Sequence, residues 1–167
     1  PDGVAALVEI SSLPNYLINE KDDLILVLDR IQDPGNLGNL FRTALAGGVN
    51  KILLSGGAHP LGQKAMRASC GAVFHLPFRR IIGDEEESIK ALLLSLNEIS
   101  NNGFQIISTS IQNKNADELI KPYWELNWSK PTALILGNEG SGIHKKIKEA
   151  FNDTITIPHS ELVESLN

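Results

Sequence analysis

The chain has 167 residues, 42% of them apolar, and carries a formal net charge of −5 at pH 7. This length predicts a single domain with a sizeable core. No apolar run approaches the roughly 18 residues that cross a bilayer, so we expect no membrane segment. The one cysteine, Cys70, excludes an internal disulfide and a cysteine-rich zinc site. We expect it to be a small buried apolar residue in a protein of the reducing cytoplasm.

Apolar runs and turn residues predict strands that alternate with helices. In chain order the predicted elements are a strand at 24–28, a helix at 37–46, a strand at 49–54, a helix at 60–69, a strand at 72–76, a helix at 84–100, a strand at 104–108, a short helix at 115–120, a strand at 132–136, a helix at 143–151 and a strand at 154–157. Asn36 is the predicted N-cap of the first helix. This order predicts an open parallel α/β sheet with helices on both faces.

Two further features have structural explanations. The acidic run at 84–87 suits the positive end of a helix dipole, so we interpret it as a helix start rather than a metal site. The loop at 111–130 is long, and long loops in compact domains are often functional. It carries both tryptophans, Trp124 and Trp128, which we expect to be buried beneath the loop.

The polar segments that accompany the apolar runs are where a parallel α/β sheet places its ligand loops. They are 33–44 (DPGNLGNLFRTA), 134–143 (LILGNEGSGI) and 157–167 (IPHSELVESLN). The glycine-rich turn at 137–142 lets backbone amides approach a ligand closely. It is not a dinucleotide fingerprint, and the chain contains no G-x-x-x-x-G-K-[ST] phosphate loop.

Two charged residues in these segments each have two interpretations. Glu139 is either a solvated carboxylate at the start of the following helix or a site residue. Arg42 alone would be taken for an ordinary surface arginine. Gly38 lies four residues before Arg42 on the same helix face. Its missing side chain leaves room either for a ligand or for a closely packed backbone.

Together and in this order, the three segments resemble motifs 1, 2 and 3 of the SpoU (TrmH-type) RNA ribose 2′-O-methyltransferases of the SPOUT superfamily. The resemblance spans nearly the whole chain. It implies a parallel sheet with a C-terminal trefoil knot and a homodimer with its sites near the interface. It also implies methyl transfer from S-adenosylmethionine to a ribose 2′-hydroxyl of ribosomal or transfer RNA, without a metal.

The resemblance assigns site residues position by position. The implied reactive-centre residues are Asn36, Arg42, Glu139, Ser165 and Asn167. The implied cofactor-binding residues are Thr109, Leu136, Gly137, Ile157, Ser165 and Leu166. Within motif 3 the chain departs from the family at His159, where an apolar residue is usual, and at Glu161, where glycine is common. Residues 66–72 also resemble a recurring family segment, in which Arg67 and Ser69 would face RNA or the dimer partner. The alternative interpretation is a helix C-terminus capped near Gly71.

We expect residues 1–167 to form one SpoU-type catalytic domain that lacks an N-terminal RNA-binding domain and a C-terminal helix. The acidic balance argues against the most direct RNA-binding interpretation. A missing RNA-binding domain would explain it, and local basic clusters such as Lys64 with Arg67 and Arg79 with Arg80 remain. Two alternatives stay open: a catalytically silent RNA-binding or dimerisation module of the same fold, and a nucleotide-dependent enzyme of ordinary doubly wound type.

Overall fold

The protein is an α/β fold built on one parallel sheet. The computed structural model describes residues 3, 7, 9, 10, 13–111 and 120–159. The strands are β1 (Leu24–Asp29), β2 (Lys51–Ser55), β3 (Phe78–Ile81), β4 (Gln105–Thr109), β5 (Lys121–Pro122), β6 (Thr132–Leu136) and β7 (Thr154–Thr156). The helices are α1 (Pro34–Ala46), α2 (Gln63–Ala68), α3 (Glu85–Asn101) and α4 (Lys145–Ala150). The sheet order is β3-β2-β1-β6-β4-β7-β5, and every pairing in it is parallel.

Helices cover both faces of the sheet, as the sequence predicts. On one face α3 and α4 bury Leu92, Leu96 and Ile147 against the strands. On the other face α1 and α2 bury Phe41 and Ala65. The inner strand β1 is apolar on both faces because it contributes alternately to the two cores, which is typical of a strand inside a parallel sheet.

The first helix begins earlier than predicted, and Asn36 is not its N-cap. Asp33 is the cap: its side chain accepts a hydrogen bond from the backbone N–H of Asn36 at 2.8 Å. Pro34 occupies the first helical position, where its fixed φ favours the helix and its missing N–H costs nothing. Asn36 therefore lies inside the first turn of α1. Its side chain points across the carboxyl ends of the strands toward Glu139 rather than back onto the helix.

The strand predicted at 72–76 is wrong. Residues Ala72–Phe74 form a 3-10 helix that begins after Gly71, whose φ is +88°. Ala72, Val73 and Leu76 are buried by this turn against α1 and β2. The edge strand is β3, which periodicity did not reveal because two arginines stand in its middle. The helices predicted at 60–69 and 143–151 are shorter, each with six residues.

Two burial predictions are also wrong. Cys70 is exposed, because its φ of +49° turns it out of the end of α2. Trp124 and Trp128 are exposed by 61% and 44%, since the loop folds into β5 and a 3-10 helix at Tyr123–Glu125 along the sheet edge.

The helix predicted at 115–120 and the third motif from residue 160 onward lie largely or wholly outside the described residues, so the knot stays a prediction. Among the described helices, none has the length and apolar character to cross a bilayer.

Candidate active site

The first and second motif loops meet through Glu139. Its carboxylate accepts hydrogen bonds from the backbone N–H groups of Gln32 at 3.1 Å and Asp33 at 3.3 Å. It also accepts one from the Asn36 side-chain amide at 3.2 Å. These bonds join residues more than 100 positions apart in the sequence at the carboxyl ends of the neighbouring strands β1 and β6. Glu139 therefore joins the two motif loops instead of pointing freely into solvent, and its role as a site residue stays a prediction.

The second motif loop is a closed turn built by Asn138. Asn138 and Gly142 exchange two backbone hydrogen bonds, at 3.1 and 2.9 Å. The Asn138 side-chain oxygen accepts from the N–H groups of Gly140 and Ser141, both at 2.9 Å. Gly137 must be glycine here, because a Cβ would lie 2.3 Å from the Gly142 carbonyl carbon and the Ile143 nitrogen. The turn is thereby held in one conformation with Glu139 at its tip.

Further hydrogen bonds anchor this turn to the end of β1. The Asn138 amide donates to the Arg30 carbonyl at 2.9 Å. The backbone N–H of His144 donates to the fully buried Asp29 carboxylate at 2.8 Å. Arg30, at φ +57°, folds back to pair with Asp29 at 3.1 Å and reaches Glu85 at 2.9 Å. The turn is therefore fixed at both of its ends and at its tip to Asp29 and to the segment 30–33 that follows β1.

The hydrogen bonds also set the charge state of two carboxylates. Burial alone would raise the pKa of Glu139, but its backbone bonds and the bond from Asn36 outweigh burial and hold the pKa below its ordinary value. The Lys64 ammonium, 2.8 Å from Asp33, lowers the pKa of that carboxyl, with help from the Asn36 N–H. Glu139 is thus ionised near neutral pH and acts as a hydrogen-bond acceptor.

Arg42 lies apart from this group. It is six residues beyond Asn36 on α1, a rise of about 9 Å. Its guanidinium is exposed, and Nη1 lies 3.9 Å from the sulfur of Cys70. The space beside Gly38 is filled by α2 backbone, since a Cβ on Gly38 would lie 2.4 Å from the Ala65 carbonyl oxygen. The close-packed alternative for Gly38 is therefore the observed one.

The predicted cofactor residues that the structure describes lie at neighbouring strand ends. Thr109 is the last residue of β4, and Leu136 is the last residue of β6. The residues before them, Ser108 and Ile135, are paired in register, and the Thr109 hydroxyl donates to the Ile135 carbonyl at 2.9 Å. Gly137 follows Leu136 directly, and Ile157 follows β7 with 47% of its surface exposed. Ser165, Leu166 and Asn167 lie outside the described residues, as does Glu161.

The carboxyl ends of β4 and β6 suit a neutral, largely apolar group such as an adenine ring. Thr109 and Leu136 are uncharged and half-buried, so they can cover a ring without leaving a charge unpaired. The departure at His159 is compatible with such a ligand. A ring nitrogen of His159 lies 2.9 Å from the Ile157 carbonyl oxygen, and a carbonyl oxygen has a second lone pair for another donor.

Sequence reasoning missed several residues that build the site. Gln32, Asp33 and Asn138 hold Glu139 and its turn in place, and the Asp-Pro pair at 33–34 was the available signal for the cap. Ser69 was expected to face RNA or a partner, but it is 1% exposed and its hydroxyl donates to the Met66 carbonyl. Arg67 is exposed, and its contact with RNA or a partner stays a prediction. Among the described residues, no group of three or more histidine, cysteine or acidic side chains could hold a metal ion.

Comparison with known proteins shows the family to which the chain belongs. The sequence profile of the SpoU rRNA Methylase family matches residues 23–167. The chain is 33% identical over 172 residues to an uncharacterized tRNA/rRNA methyltransferase of Synechocystis, covering 100% of this chain and 56% of that protein. It is 33% identical over 144 residues to the 23S rRNA (guanosine(2553)-2′-O)-methyltransferase RlmP of Bacillus subtilis, covering 86% and 52%.

Solved structures of methyltransferases superpose on this chain. The AdoMet-bound rRNA methyltransferase from Sinorhizobium meliloti superposes with a TM-score of 0.70 at 30% identity, covering 89% of this chain and 52% of that one. A TrmH-family protein from Porphyromonas gingivalis superposes with a TM-score of 0.71 at 29% identity, covering 93% and 57%. The chain belongs to the SpoU methylase family, and it spans about half the length of the curated relatives described above.

Proposed function

We propose that this chain is the catalytic core of an S-adenosylmethionine-dependent methyltransferase that modifies a ribose 2′-hydroxyl in ribosomal or transfer RNA. The observation that carries the proposal is the contact between Asn36 and Glu139, which joins motifs 1 and 2 beside the glycine turn. Family membership supports it, as does the uncharged lining at Thr109 and Leu136. When bound, S-adenosylmethionine supplies an electrophilic methyl group on a sulfonium.

Glu139 serves in this mechanism as a positioning residue. Three donors hold its carboxylate, and its lowered pKa makes it a weak proton acceptor. Its role is to fix the Asn36 amide at the mouth of the site, so that the amide can bind the ribose. A rigid, preorganised donor of this kind costs little reorganisation during the reaction.

Arg42 is the residue that acts on the RNA. It stays protonated at any ordinary pH, so it cannot be a general base. Its planar fork can hold a phosphate and the 2′-hydroxyl together and stabilise alkoxide character as the proton leaves to water or to a phosphate oxygen. The exposure of Arg42 leaves its guanidinium accessible to RNA. Its separation from Asn36 along α1 lets the two residues hold different parts of one nucleotide.

The predicted assembly and compartment belong to the same proposal. We expect a cytoplasmic homodimer whose interface includes the third motif region, where Leu162 and Val163 are apolar residues in an otherwise polar segment. Ser165, Leu166 and Asn167 would complete the cofactor pocket from that region.

The function is tested by mapping RNA methylation in a strain from which the gene has been deleted. We expect one 2′-O-methyl mark in ribosomal or transfer RNA to disappear, to return with the full-length wild-type gene, and to stay absent with Arg42→Ala. Loss of a base methylation instead, or no loss of any mark, would contradict the proposal. Restoration by the Arg42→Ala gene would show that Arg42 is structural.

A further inference from the structure

Exposed aromatic side chains lie together at one edge of the sheet. Tyr123, Trp124 and Trp128 follow the edge strand β5 and are exposed by 45%, 61% and 44%. They include both tryptophans of the chain and one of its two tyrosines. We name these three residues the aromatic edge. Large aromatic side chains left in water forgo the stabilisation of burial, so a cluster of them on a surface indicates an interaction site.

The aromatic edge is held rigidly by its own contacts. The rings of Tyr123 and Trp124 pack edge to face, with centroids 5.2 Å apart and planes at 77°. The Trp128 indole N–H donates to the Tyr123 carbonyl at 2.8 Å. The Asn127 carbonyl between them accepts from the Gln105 side chain at 2.9 Å, which ties the segment to β4. A preordered surface of this kind loses little conformational entropy when a ligand binds.

The charges around the aromatic edge favour an anionic ligand. Lys121 and Lys130 flank it, both are exposed, and neither is ion-paired with a described residue. Glu125 is the acidic residue within the same stretch. The stretch is therefore weakly positive on a chain whose net charge is −5. Aromatic faces next to lysines are the combination that binds single-stranded nucleic acid, because bases stack on the rings while phosphates pair with the ammonium groups.

The aromatic edge also continues the proposed active site. Pro122 pairs in register with Thr156, so Tyr123 and Ile157 are the residues that directly follow two neighbouring strands. Ile157 is a proposed cofactor residue. A strand of RNA whose ribose is placed near the cofactor could therefore extend over the edge of the sheet onto Tyr123 and Trp124.

We propose that the aromatic edge is a stacking platform for unpaired bases of the RNA substrate. This inference rests on the proposed function for the identity of the substrate as RNA. It assigns recognition of single-stranded RNA to the catalytic domain itself, in addition to any RNA-binding segment elsewhere in the protein. Stacking is tolerant of sequence, so the platform would hold the RNA without selecting a particular base.

Intrinsic fluorescence tests the platform directly, because both tryptophans of this chain belong to it. Single-stranded oligo-uridine and oligo-adenosine are titrated into the chain without cofactor. We expect quenching of the tryptophan emission, and we expect Trp124→Ala to weaken binding roughly 5- to 150-fold. Lys121→Gln should lower the salt dependence of binding by about one counterion. Leu94→Ala is the matched control: it removes an apolar side chain, 59% exposed, from α3 and should leave RNA binding unchanged.

Each other outcome overturns the platform. Quenching by heparin as strong as quenching by RNA would show binding by charge alone. Emission that changes with protein concentration, without RNA, would show a second copy of the chain on the aromatic edge. RNA binding measured by filter retention with no quenching would place the RNA elsewhere.

If Trp124→Ala methylated RNA with an unchanged KM for RNA, the stacking platform would be refuted and the proposed function would stand. If RNA quenched the tryptophan emission but the full-length protein transferred no methyl group, the proposed function would be refuted and the platform would stand. The two proposals can therefore fail independently.

Discussion

Gly38 is the position where the packing of α1 makes the sharpest stability prediction. A Cβ at Gly38 would lie 2.4 Å from the Ala65 carbonyl oxygen, 2.5 Å from the Ala68 Cβ and 2.8 Å from the Ser69 nitrogen. Two of these three atoms are backbone, so a rotamer change cannot relieve the overlap. Overpacking of this kind costs about 3 kcal/mol at the upper end of its usual range. Gly→Ala in a helix gains about 1 kcal/mol.

The net expectation for Gly38→Ala is a loss of about 2 kcal/mol of unfolding free energy. For a domain of this size that corresponds to a fall in Tm of about 4–8 °C. Thermal unfolding followed by circular dichroism measures it. Because α2 must move outward, the contact between Arg42 and Cys70 is displaced as well, and methyl transfer should fall along with stability.

Asn39→Ala is the matched control on the neighbouring residue of the same helix. Asn39 is exposed, so alanine there gains helix propensity of about 0.5 kcal/mol with no overlap. Its Tm should rise slightly while that of Gly38→Ala falls. If Gly38→Ala were as stable as Asn39→Ala, the close approach of α1 and α2 would be refuted.

Three further predictions concern the site and the assembly. Arg42→Ala should lower the rate of methyl transfer by a factor on the order of 10²–10³ and leave S-adenosylhomocysteine affinity, measured by calorimetry, nearly unchanged. Arg42→Lys should also transfer methyl groups slowly, because an ammonium cannot reproduce the planar fork. Near-normal turnover of Arg42→Ala would make Arg42 a structural residue. Glu139 has a pKa lowered below 4.5 in the folded chain, so its contribution to stability is present above pH 4.5 and is lost as the pH falls through the folded pKa. The Tm difference between wild type and Glu139→Gln should therefore shrink as the pH falls below 4.5. A difference that widened in acid would argue against the carboxylate bonds. Light scattering of the full-length protein at micromolar concentration should give a dimer, and a monomer would remove the predicted interface.

Local signals were enough for much of the fold. The strand at 132–136 and the helix α3 were predictable because continuous apolar runs and a 3.6-residue period with an acidic first turn leave few alternatives. Asp84 caps α3 through a 2.9 Å hydrogen bond to the N–H of Glu87, within one residue of the predicted start. The parallel arrangement followed from the alternation of strands and helices.

Tertiary contacts decided what the sequence could not predict. The apolar residues at 72–76 are equally compatible with a strand or a tight turn, and the left-handed Gly71 selects the turn. β3 contains Arg79 and Arg80 and becomes a strand because β2 offers it an edge. The exposure of Trp124 and Trp128 depends on where β5 joins the sheet, a pairing between residues more than 30 positions apart.

In the candidate site, too, the sequence predicts individual residues but not the contacts between them. Motif resemblance named Asn36 and Glu139, but not their direct contact nor the part of Gln32 and Asp33 in holding the carboxylate. Such contacts join separate loops, so no local pattern encodes them. Ser165, Leu166 and Asn167 stay predictions from the resemblance.

Whether the protein methylates a ribose hydroxyl is decided by the position at which a transferred methyl group is found in the RNA. The full-length protein is incubated with S-adenosylmethionine labelled in the methyl group and total RNA from the deletion strain, and the RNA is then hydrolysed in alkali. Alkaline cleavage needs a free 2′-hydroxyl, so a 2′-O-methyl group protects its neighbouring phosphodiester bond. We expect label in alkali-resistant dinucleotides with wild type and none with Arg42→Ala. Label in mononucleotides, or no transfer by wild type, would contradict this expectation.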